Sequence, residues 1–160
     1  MVIQQAELKD LDGIMVVINQ SKQRMKAASI DQWQGAYPGS QDIQKDIELN
    51  QGYVLFDENE IVGYMAIEFE VNAREQFSTV HRVALRDDYV NKGYSSLLQK
   101  EFEQIALANG FNSIRIDTHP ANQPMRAFIK KSGYFPIGTL LVADGLRLAY
   151  EKRLDIIVER

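Results

Sequence analysis

The 160-residue sequence contains no cysteine and only two histidines, His81 and His119. Without thiols there can be no disulfide framework, thiolate metal site or cysteine nucleophile. Two widely separated histidines offer no ligand cluster, so no metal site is expected. The Gly-x-Ser-x-Gly elbow of a serine hydrolase is missing as well. No apolar run approaches the roughly 20 residues of a membrane span. The opening MVIQQAELKDLDGIM has no basic leader followed by an apolar stretch, so the chain reads as cytoplasmic, without a membrane partner. Basic residues are outnumbered, 18 Lys and Arg against 22 Asp and Glu, for a formal charge of −4. That balance disfavours nucleic acid, which requires clustered cations.

The remainder is an ordinary globular composition, 45% apolar and 25% charged, of a length that buries one core without staples. With no repeat or linker, residues 1–160 are expected to form a single domain. Val2 to Gln5 reads as an opening strand. Asp10 is the expected cap of a helix carrying Leu11, Ile14, Met15, Val17 and Ile18, whose apolar signal fades by Lys22 to Ala28. Ile30 to Gly39 has turn residues and two aromatics but no period, and reads as an ordered loop. Ser40 is the expected cap of a short helix with Ile43, Ile47 and Leu49 on its apolar face.

Tyr53–Phe56 and Ile61–Phe69 predict a hairpin, and Ser78–Leu85 a further strand ended by Arg86-Asp87-Asp88. Leu97, Leu98, Phe102, Ile105 and Ala106 stripe a helix from Gly93 to Asn109, stopped at Gly110. A strand at Ser113–Asp117, a helix at Asn122–Lys131 and a strand pair around Ala143-Asp144-Gly145 complete the chain. The order β-α-α-β-β-β-α-β-α-β-β predicts an α/β fold, a mixed sheet of about seven strands with helices on both faces.

The strand–turn–helix at Val83 to Leu98 is the most informative stretch. Its helix opens at a glycine, where free backbone N–H groups and the helix dipole make an anion site, with Lys92 adding a full charge. Gly93 stands alone, so this is neither a Walker loop nor a dinucleotide fingerprint.

The run Val90-Asn91-Lys92-Gly93-Tyr94-Ser95 resembles the phosphate loop of the GNAT superfamily of N-acetyltransferases, which use acetyl-CoA. Gly93 and Leu97-Leu98 agree with that pattern; Val90 replaces an Arg or Gln, and Ser95 a Gly or Ala. Ile114-Arg115-Ile116-Asp117-Thr118-His119, then Asn122, Met125, Phe128, Lys131, Gly133 and Tyr134, is similar to the second half of the family. Ile30-Asp31-Gln32-Trp33, Tyr37-Pro38, Val62-Gly63 and His81-Arg82 extend the resemblance over nearly the whole chain.

The resemblance implies transfer of an acetyl group from acetyl-CoA, as co-substrate, to a primary amine by direct attack. The acceptor would be a small molecule or peptide, and a homodimer is expected. It further implies that the strands Ser78–Leu85 and Ser113–Asp117 splay apart to admit the cofactor arm. Val83 and Leu85 would hold that arm through backbone atoms. Asn91, Lys92, Gly93, Tyr94, Ser95 and Ser96 would hold the phosphates, and Asn122 the pantetheine. Trp33, Tyr37 and Glu70 would line the acceptor side, where aromatics and a carboxylate suit a cation.

Amide formation from an alkylammonium, half-ionised only near about pH 10.4, needs a base or a water relay. His81 is the first candidate, two residues before Val83 and expected on the same strand face, and imidazole is suited to proton transfer at neutral pH. Glu68, on the face of Glu70, is the rival; His119 is expected to position Asp117 or its loop. Ile129 stands where many relatives place the tyrosine acid, and Tyr134 and Tyr150 could replace it only if the fold brings them near. A thiolate near pH 8.5 is a tolerable leaving group, so loss of the acid slows the reaction without forbidding it. The alternative is a non-catalytic acyl-CoA-binding or sensing module that lost the acid.

Overall fold

A computed structural model of the chain describes residues 1–155. Its elements are β1 (Val2–Gln5), α1 (Leu11–Ala27), α2 (Ser40–Glu48), β2 (Gly52–Asp57), β3 (Glu60–Val71) and β4 (Gln76–Leu85), then α3 (Tyr94–Ala108), β5 (Ser113–Thr118), α4 (Gln123–Lys131), β6 (Phe135–Val142) and β7 (Gly145–Arg153). The strands form one sheet in the order β1-β2-β3-β4-β5-β7-β6, and only β4 and β5 pair in parallel.

The helical stripes read in the sequence bury against opposite faces. Ile14, Val17 and Ile18 of α1 and Ile43 and Ile47 of α2 pack with Val54, Tyr64, Ala66 and Ala84. Leu98, Phe102 and Ala106 of α3 and Ile129 of α4 pack with Val62, Met65, Ile67, Val80 and Ile114. Fully burying a Leu, Ile, Val or Phe side chain is worth about 1.5–3 kcal/mol, so these two layers carry the fold.

Local chemistry differs from expectation at three places. Asp10 sits at the cap position of α1 as expected but makes no side-chain capping bond to it; it also ends a short 3-10 turn, Leu8–Asp10, and its carboxylate accepts the Glu7 N–H at 2.8 Å. Gly39, not Ser40, sits at the cap of α2, and Asp42 accepts the Gly39 N–H at 2.8 Å. Leu49 lies just past α2 and is exposed rather than on its buried face. The last turns of α1 continue despite their polar sequence because their side chains have work in the fold. Arg24 donates to the Leu85 carbonyl at 2.8 Å and Ser21 to the same oxygen at 3.4 Å.

Two irregularities position the site. β4 and β5 are in register only at Ser78↔Ile114 and Thr79↔Arg115, so Val80–Leu85 and Ile116–Thr118 diverge without ladder bonds. β4 also carries a bulge against β3, where Ala66 faces His81 but Tyr64 faces Ala84. Arg82, at φ 52°, takes the left-handed conformation there. Its guanidinium is held by the buried Asp46 of α2, at 2.8 Å from Nε and 2.5 Å from Nη2, while Tyr64 donates its hydroxyl to Asp46 at 2.7 Å. A bulge at a site re-aims side chains, and here it resets the alternation of β4.

Candidate active site

On the α3 face the splay leads to the loop after β4. Gly93 adopts φ 89°, a conformation that costs an L-residue about 1–2 kcal/mol. No side chain caps α3, so the first-turn N–H groups of Tyr94, Ser95 and Ser96 have no intrahelical acceptor. Asn91, Lys92 and Gly93 are exposed beside them. Val90 turns inward and packs on the core with Tyr89 and Tyr94. Tyr89 donates its hydroxyl to Asp57 at 2.6 Å and lies 5.3 Å, centroid to centroid, from Tyr94. The hydrogen bond to Asp57 pushes the Tyr89 phenol up to about 12. An apolar anchor and a tyrosine latch thus fix the loop, and its amides and Lys92 form a surface suited to phosphate oxygens.

Within the gap the backbone of Leu85 is partly engaged. Arg86 N–H donates to Val62 C=O at 2.8 Å, so the antiparallel alternation turns the groups of Leu85 away from β3, toward β5. Its carbonyl is taken by Arg24 and Ser21. Val83 packs on the α3 face. Asn122 caps α4 by accepting the Met125 N–H at 3.3 Å and donates to Gln32 at 3.0 Å. Gln32 belongs to the loop before α2, so Asn122 ties that loop to the splayed end of β5.

On the opposite sheet face, a cleft of about 280 Å³ is lined by Glu68, Glu70, Thr79, His81 and Asp117, with Phe77, Ile137 and Leu140 among its apolar walls. His81 Nε2 lies 3.0 Å from Glu68 Oε2. The pair couples the two residues expected to compete for one role. His81 therefore does not share the face of Val83: the extra residue at the Arg82 bulge places them on opposite faces. The cleft meets the splay at His81 and Asp117, the point where a group entering between β4 and β5 would be reached from the other face.

Asp117 is the residue that sequence reasoning did not select. Burial pushes its carboxyl up, while the neighbouring His81 and Arg147 act in the opposite direction. The signal available was its alternation with the core residues Ile114 and Ile116, which placed a carboxylate on the other face at the strand end. His119 bonds locally, accepting the Ala121 N–H at 3.0 Å.

The loop aromatics lie outside this cleft. Trp33 is buried with the α1–α2 layer, and its N–H donates to Asp144 at 3.0 Å; Asp144 in turn pairs with the buried Arg147. Tyr37 accepts from Arg82 at 3.0 Å and is more than one-third exposed. Phe77 is the aromatic wall instead. The expected acid position, Ile129, is fully buried in the core. Tyr134 is buried too, donating to Gln99 at 3.0 Å, and burial pushes its phenol well above the usual range. Tyr150 lies in the same layer.

A mixed sheet with one splayed parallel pair and an open-amide loop beside it is the arrangement that the acetyltransferase resemblance implied. Residues 22–134 match the family model described as "Acetyltransferase (GNAT) family", and the chain belongs to that family. A GNAT-family acetyltransferase from Streptococcus agalactiae 2603 superposes with a TM-score of 0.84 at 25% identity, covering 97% of this chain and 96% of that one. A putative acetyltransferase from Staphylococcus aureus Mu50 gives 0.72 at 24% identity, over 97% and 100% of the two chains. The PaiA N-acetyltransferase of Thermoplasma acidophilum, solved in complex with coenzyme A, gives 0.75 at 21%, over 95% and 98%. No curated protein matches the sequence significantly. Among the described residues no helix is long and apolar enough to cross a membrane.

Proposed function

We propose that the protein transfers an acetyl group from acetyl-CoA to a primary amine by direct attack, with no acyl-enzyme. The observation that carries this reading is the gap between β4 and β5 and what flanks it. The His81–Glu68 pair stands where the two strands part, and the open loop at Gly93 follows the far end of β4.

The residues fit the parts required of them. Asn91, Lys92 and the amides of Gly93, Tyr94, Ser95 and Ser96 hold the phosphates, and Val83 and Leu85 offer backbone groups to the arm. Leu85 contributes through its N–H, since its carbonyl is taken by α1. Asn122 reaches the arm with whatever donor capacity Gln32 leaves free. Glu68, Glu70 and Asp117 draw the ammonium form of the acceptor into the cleft. With Glu68 accepting the proton on Nε2, the imidazole lone pair of His81 rests on Nδ1, the tautomer a base needs. The ammonium first gives one proton to His81, directly or through water. The neutral amine then attacks, and the C–N bond forms as the C–S bond breaks. The second nitrogen proton passes to water or the departing thiolate, without a protein acid. Trp33 and Tyr37 act through the loop they stabilise, as supports for the acceptor side.

The test is release of free thiol from acetyl-CoA across a panel of primary amines, with mass spectrometry of the acceptor. Amine-dependent release with acetylated product is the expected result. Binding of acetyl-CoA with no release on any amine would instead establish the sensing module, which the burial of Ile129 in place of an acid favours. An acetyl group covalently trapped on a side chain would exclude direct attack.

We also propose that two copies associate through β6, one of the two sheet edges among the described residues. Phe135, Ile137, Leu140, Leu141 and Val142 are all exposed on it, and an apolar edge strand left bare invites pairing. Light scattering is expected to give twice the chain mass, and Leu141→Lys to return it toward the single-chain value.

A further inference from the structure

The acceptor cleft does not end at Phe77. Arg115 lines both this cleft and a second, larger hollow of about 490 Å³, whose walls include Arg74, Glu75, Ser113, Glu151 and Arg153. On β5, Asp117, Arg115 and Ser113 alternate onto one face, and each step of two residues advances roughly 6.6 Å along the strand. The two hollows therefore form one groove along the uncovered part of the sheet, running away from the splay.

The charge along that groove reverses. Near the splay stand Glu68, Glu70 and Asp117; in the outer hollow, Arg74, Arg115 and Arg153 outnumber Glu75 and Glu151. Arg115 is fixed at the junction. It donates to Glu75 at 2.7 Å, lies 3.7 Å over the ring of Phe77 and has its Nε 3.5 Å from Glu151. That contact does not satisfy the donor: the Arg115 Nε is buried with no hydrogen-bond partner. A buried donor left unpaired is destabilising, and a ligand oxygen reaching it at the junction would relieve it.

We propose that the acceptor is a primary amine that also carries an anionic group, held about 7–13 Å from the reacting nitrogen by Arg115, Arg74 and Arg153. The ammonium is drawn to the acidic end at His81 and Asp117 while the acidic group lies in the outer hollow. Wrong-way binding would set each charge against its own sign, so the gradient sets orientation as well as preference. The chemistry fits both a free ω-amino acid and a peptide amino terminus followed by an acidic residue. The inference rests on the acetyl-transfer reading.

The experiment measures kcat/KM for five acceptors with acetyl-CoA: hexylamine, 1,5-diaminopentane, 6-aminohexanoate, and the peptides Ala-Ala-Glu and Ala-Ala-Gln, both amidated at the C-terminus so that only the Glu side chain differs in charge. The acidic member of a pair is expected to exceed its uncharged or cationic match by about tenfold or more. Preference for 6-aminohexanoate over hexylamine identifies a free amino acid; preference confined to Ala-Ala-Glu over Ala-Ala-Gln identifies a peptide. In Arg74→Glu/Arg153→Glu the ratio of acidic to uncharged acceptor is expected to fall to about one, with the acetyl-CoA thermal shift as the check on folding. Equal rates for acidic and uncharged acceptors, or a ratio unmoved in that variant, would overturn the proposal while acetyl transfer stands. A melting temperature unmoved by acetyl-CoA would overturn both.

Discussion

In the proposed reaction two side chains make different demands, His81 and Asp117. His81→Gln keeps a polar group beside Glu68 but removes the proposed base. It is expected to lower kcat by about 10²–10⁴-fold; an unchanged kcat would move the role to Glu68 acting through water. Asp117 bears on stability. Its carboxyl is pushed up by burial, so its folded-state value exceeds the unfolded one. The favourable contribution of the group is full below the unfolded value, near about 3.9, and is lost as pH rises through the folded value. Asp117→Asn is therefore expected to melt higher than the wild type at pH 7, with the difference closing toward pH 4. Melting curves across that range check the sign. Neither feature could be read fully from the sequence, because His81 and Glu68 meet only across two strands and the surroundings of Asp117 come from β4 and β7.

At the scale of elements, sequence patterns recovered what local chemistry controls. The glycine opening α3 and the apolar stripes of α1, α2 and α3 were legible because each is set by near neighbours. What was missed depends on distant partners. The bulge at Arg82 is held by Asp46 of α2, far off in sequence, and without it His81 and Val83 would share a face. Asp10 does occupy the cap position of α1, but its carboxylate is taken by the Glu7 N–H one turn earlier. Asn122 was read only toward the cofactor, whereas it also holds the loop of Gln32. Asn122→Ala removes a cap worth about 1 kcal/mol and leaves the buried Gln32 oxygen with only the longer bond from Thr118, at 3.5 Å. At about 2–4 °C per kcal/mol, calorimetry is expected to show a drop of roughly 2–8 °C. A loss of only a few tenths of a degree would mean that neither bond matters.

Taken whole, the molecule divides its labour between the two sheet faces. One face carries the open loop at the start of α3, the other the titratable cleft, and β4 and β5 part between them. The split follows from β-strand alternation, since every residue of β4 and β5 must serve one face or the other. The acceptor groove can accordingly vary without disturbing the cofactor side. The central claim is that the loop at Gly93, with Val90 turned into the core, still binds acetyl-CoA. It is tested most directly by the melting temperature with and without acetyl-CoA. At a hundred times the dissociation constant, binding adds about 2.7 kcal/mol, so a rise of several degrees is expected. The rise should be larger than that given by 3′-dephospho-CoA. A melting temperature unmoved at millimolar acetyl-CoA would contradict the account.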